Sequence, residues 1–330
     1  MWIVQLIPEV PSRSKTRERP ILFPYLVLLL AQLAVGAAAI LARTGLRSGL
    51  SPVSLAAWRL TVASAILIVG MRFSRRWHRP DGPAAAIKRK DLTVLVVAGI
   101  LLGLHFAMWF ASLQTLSVAR STLLVATVPV WTGLAEKFVL GRTVPLRFWA
   151  GLALAGVGIV LLTAGGETAL ISRALPGTLP VEGDLLAIAG AVTIAAYLLI
   201  AQRVQPKLGS LRMVTWTYSL AALILWPAVL VLGNPSTALP LTSLAWISIL
   251  GMALFPQLVG HTAMNWSLHH FSAGVVAAAT LLEPVFAAAL AWWIFSERVS
   301  WVQAIGGIVL LAGVGVAALR AQSIASEGTL

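Results

Sequence analysis

The residues best able to do chemistry in this sequence are few, and they recur as a pattern. His105 stands in the string LHFAMWFASLQ and His261 in GHTAMNWSLHH, so His-x-Ala-Met occurs twice. On a helix His105, Met108 and Trp109 fall at i, i+3 and i+4, as do His261, Met264 and Asn265, which puts each trio on one face. Each face offers an imidazole, a thioether and either an indole or an amide, a lining suited to apolar or aromatic solutes. Trp109 and Trp266 are expected to approach one central space, though on offset faces. The competing reading is two buried histidines hydrogen-bonded between helices. No second His, Asp or Glu lies within a turn of either one, so no metal site is expected.

What must position these side chains is set by composition. The chain is 59% apolar and 11% charged, where soluble domains run near about 45–50% and about 25%. That is too little charge to cover a water-facing surface, so lipid must solvate most of it. No Asp, Glu, Lys or Arg occurs from Ile21 to Ala42, from Leu92 to Ala119, from Phe148 to Gly166 or from Met213 to Leu282. A hydrocarbon core of about 30 Å takes roughly 20 apolar residues per helix. Backbone groups in lipid must be satisfied within the segment, which selects helices over open strands. The runs predict an all-α integral membrane fold with transmembrane helices at 21–46, 53–73, 91–113, 121–140, 146–164, 183–202, 213–232, 243–268, 273–295 and 301–320. The first apolar run is longer than a signal-peptide core and is read as a retained helix.

Residues 1–20, with three prolines and mixed charge, are expected to be a disordered cytoplasmic tail, and 321–330 a second tail. The absence of cysteine excludes disulfides and thiolate chemistry. The net charge of +13 sits at helix ends rather than interleaved with aromatics, which argues for membrane orientation and against nucleic acid. With the N-terminus inside, the outer side holds only Arg43, Arg47, Arg120, Arg173 and Arg298. The remaining basic residues, Arg59 within helix 2 apart, fall on the inner side. A multi-pass protein of the cell (inner) membrane with both termini cytoplasmic follows.

The strings around the two histidines belong to a longer repeat. LLVATVPVW and LALAGVGIVLL follow the first copy, and AATLLEPVF and IVLLAGVGVAA the second, at a separation of about 156 residues. This divides the chain into a five-helix unit at 21–166, a linker at 167–182 and a second unit at 183–320. Five is odd, so the second unit runs through the membrane upside down, a recurring plan of secondary transporters.

Within these units two charges are embedded. Arg59 lies about 8 Å into its helix by the rise per residue, shallow enough for its head to reach water. Glu283 is about 15 Å deep, near the bilayer centre, where an ionisable residue is a functional hypothesis by default. One reading makes it a coupling or substrate-sensing carboxylate at which a proton and an amine-bearing solute compete. The other makes it structural, accepting a hydrogen bond from Thr280 or pairing with Arg59. Pro129 and Pro284 occupy equivalent places and should bend their helices, either as gates or as fixed packing kinks. Gly151 and Gly158 share a helix face, as do Gly306 and Gly313. Such faces pack helices closely within a chain or between the chains of a homodimer.

The stretch LEPVFAAALAWWIFSERVSWVQAIGGIVLLAGVGVA, residues 282–317, resembles the drug/metabolite transporter superfamily, in its ten-helix form with two EamA-type domains. The first copy departs from it, since Arg142 stands where the second has Glu297. The resemblance implies gradient-coupled export of metabolites, amino acids, aromatic or amphipathic compounds, or drugs, with membrane lipids around the protein and no cofactor. The sequence contains no GxxxxGK[ST] string for ATP. Two other classes stand beside it: an intramembrane enzyme such as a lipid-modifying transferase, and a membrane scaffold. The embedded carboxylate is single and the histidines lie in different halves, which offers little to a metal-assisted or acid–base enzyme.

Overall fold

Side chains of leucine and valine that stand open to the surroundings show which solvent this fold was made for. In the computed structural model, which describes residues 22–73, 87–116, 118–164, 180–232, 238–286, 290 and 300–318, Leu223 is 67%, Leu230 79% and Val231 81% exposed. The two tails, most of the 74–90 and 167–182 segments, and Glu297 lie outside the described residues.

Among the described residues the chain is all-helical. It runs through α1 (Leu22–Arg47), α2 (Pro52–Phe73), α3 (Arg89–Thr115), α4 (Arg120–Val139), α5 (Leu146–Ala164), α6 (Pro180–Leu208), α7 (Ser210–Leu232), α8 (Ser243–Ser267), α9 (Ala273–Phe286) and α10 (Trp301–Ala318). Seven of them, α1 to α4 and α6 to α8, are long and apolar enough to cross a bilayer, and the others contain shorter apolar helices. With apolar side chains facing outward on such helices, this is a multi-pass membrane protein.

The helices pair in a scheme that survives exchanging the first five with the last five. α5 packs on α10 and α2 on α7, while α3 on α6 answers to α8 on α1. Each pair runs antiparallel. Along α2 and α7, Met71 meets Thr215 and Thr61 meets Trp226. Along α1 and α8, Leu41 meets Ser248 and Val35 meets Gly260. Along α5 and α10, a Cβ on Gly151 would lie 2.5 Å from the Ala317 backbone nitrogen, and one on Gly158 would strike the Leu310 backbone. Gly306 and Gly313 contribute the facing carbonyls, so all four glycines meet in one crossing inside the chain.

Four departures from α geometry punctuate α4, α8 and α9. α4 is interrupted at Ala126 and Thr127, restarts with Pro129 in its first turn, and widens to a π-helix over Ala135–Val139. A proline is tolerated there because a first-turn N–H has no intrahelical partner to lose. α9 tightens to a 3-10 turn over Thr280–Leu282, immediately before Glu283 and Pro284. α8 is a π-helix over Ala253–His261 with Pro256 inside it. Between α6 and α7 the chain turns on the single residue Gly209, at a positive φ of 74° that a side chain would strain.

Candidate functional site

Arg59 organises the middle of the bundle. It lies on α2 with a relative exposure of 0%, which corrects the expectation of a side chain reaching water. Counting residues along a helix measures depth but not facing. The buried neighbours Leu55, Ala56, Leu60 and Ala63 show that this stretch of α2 points inward. The guanidinium lies 4.1 Å from the centroid of the Phe106 ring and 5.9 Å from that of Phe110, both on α3. Its Nε donates to Oε1 of Gln257 on α8 at 2.7 Å. A cation over a desolvated ring gains about 2 kcal/mol, a partial return for lost hydration. Nη1 and Nη2 are buried and have no hydrogen-bond partner among the described residues.

The two repeated histidines meet around this cation. Their rings lie 6.5 Å apart, and Phe106 sits edge-on to His261 at 5.1 Å. Nδ1 of His105 shares a hydrogen bond of 2.9 Å with the Gly190 carbonyl on α6, so this histidine also ties two helices together. Trp109 stacks on His105 at 5.9 Å, is 3% exposed, and leaves its indole N–H without an acceptor among the described residues. On α8, Asn265 donates from Nδ2 to the His261 carbonyl at 2.7 Å and accepts from the Tyr197 hydroxyl of α6 at 2.8 Å. Tyr218 of α7 shares a 3.3 Å hydrogen bond with Thr262.

Not every expected residue joins the group. Trp266 packs against Phe23 and His270, with centroids 5.8 and 4.4 Å away, at the end of α8 rather than beside Trp109. The indoles face apart because the half-buried Trp266 stands one position past Asn265, about 100° around the helix. Glu283 is half-buried, attracted through space by Arg59 but without an ion pair to it among the described residues. The Thr280 hydroxyl donates to the Ala277 carbonyl at 2.7 Å instead of to Glu283. Glu136, by contrast, pairs with Arg142 at 3.3 Å near the end of α4.

Sequence reasoning did not single out Gln257, Gln32, Tyr197, Tyr218 or Gln205. All are at most 2% exposed. A search for charges passes over amides, but Gln32 and Gln257 each interrupt a charge-free run. A buried amide is costly without partners, and that was the available signal. Tyr197 and Tyr218 are two of only three tyrosines in the chain, and both end in this polar group. Among the described residues no three His, Cys, Asp or Glu side chains gather as metal ligands.

A model of the EamA-like transporter family matches residues 22–164 and again 181–319. The chain belongs to the EamA-like transporter family. Among its relatives, an uncharacterized transporter of Archaeoglobus fulgidus is 26% identical over 292 residues, covering 88% of this chain and 95% of that protein. The uncharacterized transporter YyaM of Bacillus subtilis is 24% identical, over 80% of this chain and 83% of its own. A probable 4-amino-4-deoxy-L-arabinose-phosphoundecaprenol flippase subunit, ArnE of Salmonella newport, is 32% identical over 103 residues, covering 31% of this chain and 92% of that one. A protein of known crystal structure superposes with a TM-score of 0.70 at 18% identity, over 91% of this chain and 98% of the other, which shows a shared fold. As an EamA-like transporter, the chain places Arg59, the one fully buried Lys or Arg among the described residues, where helices of both family matches come together.

Proposed function

We propose that this chain is a secondary transporter that exports a small metabolite by alternating access. In this reading it is a ten-helix protein of two inverted five-helix halves, with both termini in the cytoplasm of a cell whose inner membrane it spans. The observation that carries it is Arg59: a fully buried cation with two unpartnered nitrogens, held by α3 of one half and α8 of the other. A structural protein gains nothing from such a group, because an unmade buried hydrogen bond costs about 1–3 kcal/mol and more when charged. A transporter gains a docking point that its cargo completes. The antiparallel pairing of equivalent helices supports the inverted plan. The breaks near Pro129 and Pro284 supply hinges at matching places. Glu283, near Arg59 but not bound to it, is suited to carry the coupling proton.

Flux into proteoliposomes under an imposed pH gradient tests the transport reading. Accumulation of a cargo above protein-free vesicles supports it; a folded protein that moves no member of a broad metabolite panel overturns it. Orientation is tested separately, since single cysteines stand out in a chain that has none. In intact cells an impermeant thiol reagent should label a cysteine placed at position 170 and spare one at 85. The reverse pattern overturns the topology.

A further inference from the structure

We infer that the cargo is a carboxylate with an aromatic or apolar body, and that the guanidinium of Arg59 receives the carboxylate. This rests on the transporter reading and narrows it. A guanidinium carries five N–H donors and no acceptor. One donor is used, by Nε on Gln257, and the four on Nη1 and Nη2 have no acceptor among the described residues. Vacancies of both signs are buried among the described residues, since Gln32 Oε1 and Gln205 Oε1 are acceptors without donors. Those on Gln257, which is bonded to Arg59, and on Trp109, which stacks on His105, are donors. Phe106, which covers one face of the guanidinium, offers an apolar contact and no acceptor oxygen.

Glu283 is attracted through space by Arg59 but makes no ion pair with it among the described residues, so the fork still lacks a group with several lone pairs and negative charge at hydrogen-bonding distance. Nη1 and Nη2 present a planar fork whose matching partner is a carboxylate bound by two parallel hydrogen bonds. Gln257 contributes twice: its Oε1 fixes the rotation of the fork, and its Nε2 extends the row of donors. The rings around the fork are those of Phe106, Phe110, His105, His261 and Trp109, which suit a flat or apolar remainder better than a sugar. Inorganic phosphate would satisfy the donors but leave this aromatic wall without a partner.

The test measures binding to the purified full-length protein, independently of transport. Matched pairs of 3-phenylpropionate, indole-3-acetate and hexanoate with their neutral amides are titrated while thermal stability and tryptophan fluorescence are followed. At least one carboxylate should bind at least tenfold more tightly than its amide. Arg59→Lys, which keeps the charge and loses the fork, should reduce that preference, and Arg59→Met should abolish it. Gln257→Leu leaves the cation in place and should weaken the carboxylate by a smaller factor, which keeps the inference testable should Arg59→Met fail to fold. No preference for any carboxylate over its amide overturns the inference, as does stabilisation by inorganic phosphate exceeding that by every carboxylate. Arg59→Met with unchanged selectivity also overturns it. In each case flux in proteoliposomes still stands or falls alone, so loss of this inference does not touch the transporter reading.

Discussion

The crossing of α5 with α10 and the junction of α2, α3 and α8 are both buried, and they are built on opposite terms. At the first, Gly151, Gly158, Gly306 and Gly313 bring two backbones together so closely that a methyl group would collide. At the second, a cation, two histidines and several amides are enclosed with hydrogen-bonding capacity left over. One region is finished by the chain itself and the other is not. Contacts between small residues are how helices gain packing energy in lipid, where tails compete equally for apolar surface. An incomplete polar group in the same bilayer works against stability, so something outside the chain must justify it.

Substitutions should separate the two regions. The largest effect is expected from Gly158→Leu, which drives a side chain into the backbone of α10. Overpacking costs about 3 kcal/mol or more where nothing can move aside. The expected outcome is loss of monodisperse protein in detergent, and normal yield and melting temperature would show the crossing to be loose. Glu283→Gln comes second. Abundance should hold while flux driven by an imposed pH gradient falls about tenfold, equivalent to about 1.4 kcal/mol. Wild-type flux with the same pH dependence would remove the carboxylate from coupling. Tyr197→Phe is the mildest. It deletes the hydroxyl that donates to Asn265, leaves the ring in place, and should lower stability by about 1 kcal/mol with a small rise in apparent KM. A large loss of flux would instead place Asn265 in direct contact with cargo.

The helices were legible because lipid imposes length and apolarity on each of them. The runs read at 53–73 and 243–268 correspond to Pro52–Phe73 and Ser243–Ser267. Misreadings came where one-dimensional spacing had to stand in for facing. Arg59 was placed by depth, whereas its rotation about α2 decides that it is enclosed. Trp266 is expected from its helix to approach the same central space as Trp109, yet it turns toward Phe23. The interruption of α4 before Pro129 was foreshadowed by the proline itself. The π-helix in α8 was not, since a widened turn comes from tertiary packing and leaves only Pro256 as a trace. Gln257 escaped notice for a related reason: an amide looks neutral in sequence and becomes consequential only when a cation lies on it.

The single residue between α6 and α7 bears on how the protein is made. Gly209 joins two helices of 29 and 23 residues with no slack. A joint that short holds α6 and α7 side by side once both are helical, so the pair is expected to settle in the bilayer as one hairpin. Residues added at this turn would let the hairpin open during biogenesis, and the cost would appear as misinserted chains rather than as a lower melting temperature of those that had already folded.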